Sequence, residues 1–383
     1  MQSVNVIGEY FGQTGYAIHT KQIANALNKH YKVSVTTGRP QSWERTVNDE
    51  ELKMLQRNPE DADINIMIGF PHYWKYYFKE GKKFIGVCVW EGDKVPAFWI
   101  EDMEDDRVDQ IWVPSSHVRN AILNTLEEHF SLKPIKSELF SKTYTELLDN
   151  KLKIVPHGVD KNIFYRTDKP KDDKMFTFTA NKGWRGNMLD RGGLQYLFKA
   201  FNAEFSEDEP VQLLVKINSV YQEIDMAQAV ENLGLRKKGG KIGSTIENLH
   251  YESLKDIYNM GDVFITTSMG EAFNLPCLES MACGVPVITT EFGGQTDYVN
   301  SKNGWILKEG EMFEVKHDVM YEGVSWKRPD IKEIRKMLRH CYENRDEVKK
   351  KSEQVLEDSD KWTWDCAATK GKQFIDEISN NTE

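Results

Sequence analysis

Short runs of β-branched and aromatic residues alternate along the chain with stretches in which apolar positions recur every three or four residues. That alternation is the pattern of parallel strands joined by helices that cover the sheet. Residues 4–7 (Val-Asn-Val-Ile) predict a first strand, residues 20–29 a helix with Ile23, Ala24 and Leu27 on one face, and residues 32–37 a second strand. Further strands are expected at 64–68, 84–89, 110–113 and 153–155. Through 165–174 the chain turns polar and charged, which predicts a linker. A second series then begins, with strands at 175–179, 211–217, 263–267 and 285–289 and helices at 194–201 and 276–283.

With 383 residues the chain is long enough for two domains. The expected α/β fold is therefore two Rossmann-like, doubly wound domains, residues 1–165 and 175–355, facing each other across a cleft. Ligands of such sheets bind at the carboxyl ends of the strands. Lys and Arg number 50 against 60 Asp and Glu, a net charge of -10, so the basic field that nucleic-acid binding needs is missing. Cys88, Cys277, Cys283, Cys341 and Cys366 are scattered, an odd set without a Cys-x-x-Cys pair, which argues against a disulfide framework and for a reducing cytosol. The chain runs at once into its first strand, so neither a signal peptide nor a membrane span is expected, and any membrane contact would be peripheral.

The segment richest in candidate chemistry runs from Ser268 to Ile288. It reads as loop, helix and strand, with Pro276 suited to a first helical turn and Gly284 to a helix end. A loop entering a helix presents backbone N–H groups to phosphate or sugar oxygens. Glu271 in the loop and Glu279 on the opening turns of the helix are expected to face one ligand, although a lone surface glutamate is as often simply solvated. Gly12-Gln13-Thr14-Gly15-Tyr16 comes directly after the first strand, where missing side chains admit a phosphate; a plain tight turn is the alternative. Gly8, Gly12 and Gly15 lack the Gly-x-Gly-x-x-Gly spacing of a nicotinamide dinucleotide site. Lys182, Arg185 and Arg191 form a cationic set that would suit a departing diphosphate, or a solvated loop.

Glu271-Ala272-Phe273-Asn274-Leu275-Pro276, Glu279 eight positions on, and Ala282-Cys283-Gly284-Val285-Pro286-Val287 resemble the Glu-x7-Glu signature of the family 4 retaining glycosyltransferases of GT-B fold. Leu254 to Phe264, containing Tyr258, Asp262 and Val263, resembles the family's lead-in, and Gly293-Gly294 with Asp297-Tyr298-Val299 its next loop. The resemblance implies that Glu271 contacts donor-sugar hydroxyls and Glu279 the nucleotide ribose, with Phe273, Asn274 and Leu275 in the donor site. It implies that Gly15 and Tyr16 belong to the loop meeting the diphosphate and the acceptor, and that Arg191 holds the family's phosphate-binding lysine position. The family's preceding arginine falls on Lys182 or Arg185. Asn274 and Ser280 depart from the usual glycine and alanine. Glu91, in Trp90-Glu91-Gly92-Asp93, is a contact to donor or acceptor, or else a cap or salt bridge. His157, in Val155-Pro156-His157-Gly158-Val159-Asp160, is read as structural in preference to a general base. Residues 356–383, with Trp362 and Trp364, resemble the closing helix that returns to the first domain.

The implied activity is retaining hexosyl transfer from a nucleotide-sugar to a hydroxyl acceptor, without metal or other cofactor. A non-catalytic sugar-nucleotide-binding subunit is the alternative. Asp61-Ala62-Asp63 has a metal-binding form but precedes its strand, at the wrong end of the sheet. Pro71 to Lys83 interleaves rings and lysines, which would suit an anionic or lipid-linked acceptor at a membrane surface; an amphipathic helix burying its rings is preferred. Donor base, donor sugar, acceptor and oligomeric state are not specified by any of these patterns.

Overall fold

The computed structural model describes residues 2–12, 14–38, 47–132, 146, 148–168, 174–218, 225–247, 249–316 and 319–380. Gln13, residues 169–173 of the expected linker and most of 132–149 lie outside this set. The chain forms two compact units, the first made of Met1–Gly158, Val315–Val324 and Thr363–Glu383, the second of Val159–Glu314 and Ser325–Trp362.

In the first unit, β1 (Ser3–Gly8), β2 (Lys32–Thr37), β3 (Ile64–Ile68), β4 (Lys83–Val87), β5 (Gln110–Val113) and β6 (Leu152–Ile154) form one sheet in the order β2-β1-β3-β4-β5-β6. Every pairing is parallel. All five residues of β3 are buried, as expected of a central strand covered on both faces. Helix α1 (Gly15–Leu27) starts five residues before the expected start at Thr20, because Thr14 caps it by accepting a hydrogen bond from the Ala17 amide. The closing helix Trp364–Asn380 belongs to this unit: Gln110 donates to the Phe374 carbonyl at 2.8 Å, and Gly371 sits where a Cβ would lie 2.8 Å from the Trp112 ring.

Pro71–Tyr76 is a 3-10 helix, not the expected amphipathic α-helix. At three residues per turn, Pro71 and Trp74 face inward, while Tyr73 and Tyr76 are 49% and 73% exposed, so the rings are not all buried. Asp63 ties the amino ends of the neighbouring strands β1 and β3 together by accepting from the Ser3 amide at 3.0 Å and the Ser3 hydroxyl at 2.7 Å.

In the second unit, β7 (Phe176–Gly183), β8 (Val211–Asn218), β9 (Lys241–Thr245), β10 (Val263–Ile265), β11 (Val287–Thr290) and β12 (Gly304–Leu307) form a parallel sheet in the order β12-β11-β10-β7-β8-β9. A two-stranded antiparallel hairpin, β13 (Gly310–Glu314) with β14 (Ser325–Pro329), stands beside it in sequence. The helices of this unit include α2 (Leu194–Glu204), α3 (Leu254–Met260) and α4 (Leu275–Ala282). The polar edge strand β9 escaped the sequence pattern because none of its residues is buried. Strand β10 is shorter than its β-branched run: the Thr266 amide still donates to the Ile288 carbonyl of β11 at 2.9 Å, and Thr267 turns away to shape a loop. No disulfide joins the cysteines, and among the described residues no helix is long and apolar enough to cross a membrane.

Candidate active site

The site grows from the loop that leaves β10. Thr267 donates its hydroxyl to the Gly193 carbonyl at 2.9 Å, the Met269 amide donates to the Arg191 carbonyl at 2.8 Å, and Arg191 donates a guanidinium N–H to the Gly270 carbonyl at 2.7 Å. This zipper needs glycine at 193: φ is 75° there, and a Cβ would lie 1.9 Å from the Thr267 carbonyl oxygen. The close approach carries Arg191 to Glu271. On the other side the Gly294 amide donates to the Glu271 carbonyl at 2.9 Å.

Asn274 ends the loop in the left-handed region (φ 71°, ψ 64°), the one non-glycine with positive φ among the described residues, and stands at the N-cap of α4. The Tyr298 hydroxyl lies 2.9 Å from the Phe273 carbonyl oxygen and 2.8 Å from that of Asn274, sharing its single hydrogen between them. Phe273 and Leu275 are buried and anchor the turn.

Glu271 Oε1 accepts from the Ser268 hydroxyl at 2.6 Å and lies 2.6 Å from Lys182 Nζ and 3.4 Å from an Arg191 guanidinium nitrogen. Burial by itself would push this carboxyl up, but the Lys182 ammonium and the Arg191 guanidinium hold it below the ordinary glutamate value. Lys182 also donates to Asn274 Oδ1 at 3.2 Å. Two cations around one carboxylate leave a local positive charge, which suits an anionic group. Arg185 is exposed and sits apart, its backbone amide donating to Asp190 Oδ2 at 2.7 Å. The structure thus gathers Lys182, Arg191, Glu271 and Asn274 and leaves Arg185 on the surface.

Glu279 is buried on α4, not displayed on an open face. Tyr251 donates to its Oε1 at 2.7 Å and Tyr258 to its Oε2 at 2.6 Å. Asn181 Nδ2 in turn donates to the Tyr258 hydroxyl at 2.8 Å and Asn218 Nδ2 to Asn181 Oδ1 at 3.1 Å. Burial raises the Glu279 carboxyl despite the two tyrosine hydrogen bonds. Tyr251 and Asn181 carried no signal in the sequence, and Ser268 opened the richest segment without a role of its own. Tyr258 and Tyr298 lay in recognised motifs, but without a role.

In the first unit, Gly15 opens α1 with nothing within 4 Å of the position a Cβ would take, and the Tyr16 hydroxyl donates to the Val89 carbonyl at 3.1 Å. Glu91 Oε2 accepts from the Tyr321 hydroxyl at 3.0 Å, while the Tyr321 ring stacks on Trp90 with centroids 4.6 Å apart. His157 is buried with its ring 4.1 Å from that of His19, and burial holds the histidine well below its ordinary value. Among the described residues, no three His, Cys, Asp or Glu side chains are placed to hold a metal ion.

Residues 188–322 match the family described as glycosyl transferases group 1. A probable sucrose-phosphate synthase of Thermosipho melanesiensis is 27% identical over 177 residues, 45% of this chain and 40% of its own. The phosphatidylinositol N-acetylglucosaminyltransferase GPI3 subunit of Saccharomyces cerevisiae is 25% identical over 157 residues, 39% of this chain and 32% of its own. The chain therefore spans less than half the length of these relatives. Among solved structures, a glycosyltransferase from Rickettsia africae superposes with a TM-score of 0.68 at 13% identity, covering 100% of this chain and 99% of its own. HepE of Anabaena, solved in complex with UDP-glucose, gives 0.68 at 11% identity over 99% of this chain and 100% of its own. At such identities the likeness speaks for the fold, which is that of the GT-B glycosyltransferases.

Proposed function

We propose, from a chain that carries a glycosyltransferase group 1 domain on a GT-B fold, that this protein is a retaining, metal-independent glycosyltransferase moving a hexosyl group from a nucleotide-sugar to a hydroxyl acceptor. The observation that carries the reading is the pairing of the largely buried Glu271 with two cations, Lys182 and Arg191, where the loop from β10 meets the end of β7.

As the bond from the anomeric carbon to the phosphate oxygen breaks, negative charge grows on the nucleoside diphosphate. Lys182 and Arg191 are assigned to stabilise it, in the role a divalent cation plays in other transferases, and the loop N–H groups entering α4 add to them. Glu271, held ionised by those cations, accepts hydrogen bonds from sugar hydroxyls and orients the ring. The acceptor oxygen bonds to the anomeric carbon from the face the diphosphate leaves, and its proton passes to the departing phosphate. No protein nucleophile takes part. The first unit, through Gly12, Gly15 and Tyr16, is assigned to the acceptor and the diphosphate, and cysteines that form no disulfide fit a cytoplasmic setting.

The test is a thermal-shift series with UDP-, GDP-, ADP- and dTDP-glucose, followed by nucleoside diphosphate release with and without chelator. Stabilisation by one donor, with chelator-resistant release abolished in Glu271→Ala, is expected. Stabilisation without release in any acceptor screen would favour a non-catalytic binding subunit. Indifference to all four donors overturns the reading, and chelator sensitivity overturns its metal-free part.

A further inference from the structure

Asn274 combines two features that each cost stability. Its backbone occupies a left-handed conformation that glycine adopts freely and other residues avoid. Its carboxamide is also buried, with the residue only 4% exposed, and among the described residues nothing accepts a hydrogen bond from Nδ2. The orientation of the amide is set by its neighbour. Lys182 Nζ lies 3.2 Å from Oδ1, and an ammonium only donates, so the oxygen faces the lysine and the NH2 group faces away.

Glu271 and Asn274 share Lys182, which lies 2.6 Å from the one and 3.2 Å from the other. The two side chains are complementary: ionised Glu271 only accepts, and Asn274 Nδ2 only donates. A hydroxyl does both, donating to the carboxylate while accepting from the amide. An ionised phosphate oxygen would satisfy Asn274 but has no hydrogen to donate to Glu271.

We propose that the Asn274 carboxamide is a selectivity element for the donor sugar, donating from Nδ2 to a hydroxyl oxygen that Glu271 also engages, so that the site prefers hexosyl groups bearing that hydroxyl over their deoxy counterparts. The inference rests on the nucleotide-sugar reading and adds which chemical group of the sugar is read, and by what.

Binding by wild type, Asn274→Gly and Asn274→Asp is measured for UDP-, GDP-, ADP- and dTDP-glucose, for each matching nucleoside diphosphate, and for the monodeoxyglucose forms of whichever donor binds. Glycine accepts the left-handed backbone, so N274G keeps the turn, with its melting temperature as a check; aspartate keeps the shape but puts an oxygen where the NH2 group stood. Both variants are expected to bind the nucleotide-glucose about tenfold more weakly, the loss of one hydrogen bond. The matching nucleoside diphosphate should stay within about twofold for N274G. One deoxy form should bind wild type more weakly than the parent sugar by at least about tenfold, and in N274G this discrimination should narrow by about tenfold, to what the bond to Glu271 alone supplies. Equal losses for diphosphate and nucleotide-glucose, unchanged binding, or deoxy discrimination undiminished in N274G overturns the assignment of Asn274 alone. Failure of all four donors to bind wild type brings down the functional reading, and this inference with it.

Discussion

Lys182 Nζ lies 2.6 Å from Glu271 Oε1, joining the end of β7 to the loop after β10 through a pair whose side chains are only 11% and 13% exposed. Removing the cation strands a largely buried carboxylate with Arg191 at 3.4 Å as its remaining counter-charge. Lys182→Met is expected to destabilise the second unit by up to about 3 kcal/mol and to lower transfer about a hundredfold. Chemical denaturation and initial rates check the two effects separately. The stability contribution carries a pH signature. The Glu271 carboxyl is held below its ordinary 4.5, so its contribution is full above that value and fades as pH falls through the lower folded value. The stabilities of wild type and K182M should therefore converge in acid.

Arg191 and Arg185 separate function from proximity in sequence. Arg191→Ala should cut kcat/KM by about two orders of magnitude, because it removes a cation from the proposed leaving-group site and unties the Gly270 carbonyl. Arg185→Ala, at an exposed side chain, should change it less than about threefold. Comparable losses in both variants would show that the loop between β7 and α2 rearranges when donor binds.

The buried Glu279 depends on its tyrosines. Tyr251→Phe and Tyr258→Phe each remove one hydrogen bond to the carboxylate, at 2.7 and 2.6 Å, and should each cost about 1–3 kcal/mol. Because burial already raises the Glu279 carboxyl, the folded protein holds that proton more tightly than the unfolded chain does. Stability from this group therefore falls as pH rises from the unfolded value through the folded one. Both variants should steepen that fall, measured as melting temperature against pH.

In the first unit, His19 is fully enclosed and burial lowers it from 6.5 to about 3, beside His157, which is lowered in the same direction. The unfolded chain takes up these protons first, so stability present above pH 6.5 is lost progressively toward pH 3. At pH 5 the loss from one such histidine is about 2 kcal/mol. His19→Gln should flatten the acid limb of the unfolding curve between those limits.

Much of the sheet architecture was legible because hydrophobic periodicity is a local property. Lys32–Thr37, Ile64–Ile68 and Gln110–Val113 have the limits their β-branched runs predict, since a buried parallel strand requires those residues wherever it lies. Boundaries set by capping or by competing hydrogen bonds were less legible. Thr14 drew α1 five residues earlier, and the bonds of Thr267 and Met269 to the Arg191–Gly193 turn cut β10 short.

The sequence by itself determined which residue types the site contains, because the spacing of Glu271, Glu279, Pro276 and Gly284 around one short helix is local information. Only the tertiary structure decided their partners. Lys182 and Arg185 stand three positions apart and look equivalent in the chain, yet strand β7 carries one to Glu271 while the loop beyond it leaves the other in solvent. Glu279 reads as a ligand-facing acid on an amphipathic turn, but Tyr251 and Tyr258, folded back over α4 from 28 and 21 residues away, claim both of its oxygens. The reason is physical: a carboxylate's charge state and free hydrogen-bonding capacity depend on what surrounds it within a few ångströms, and residues far apart in the chain supply those surroundings.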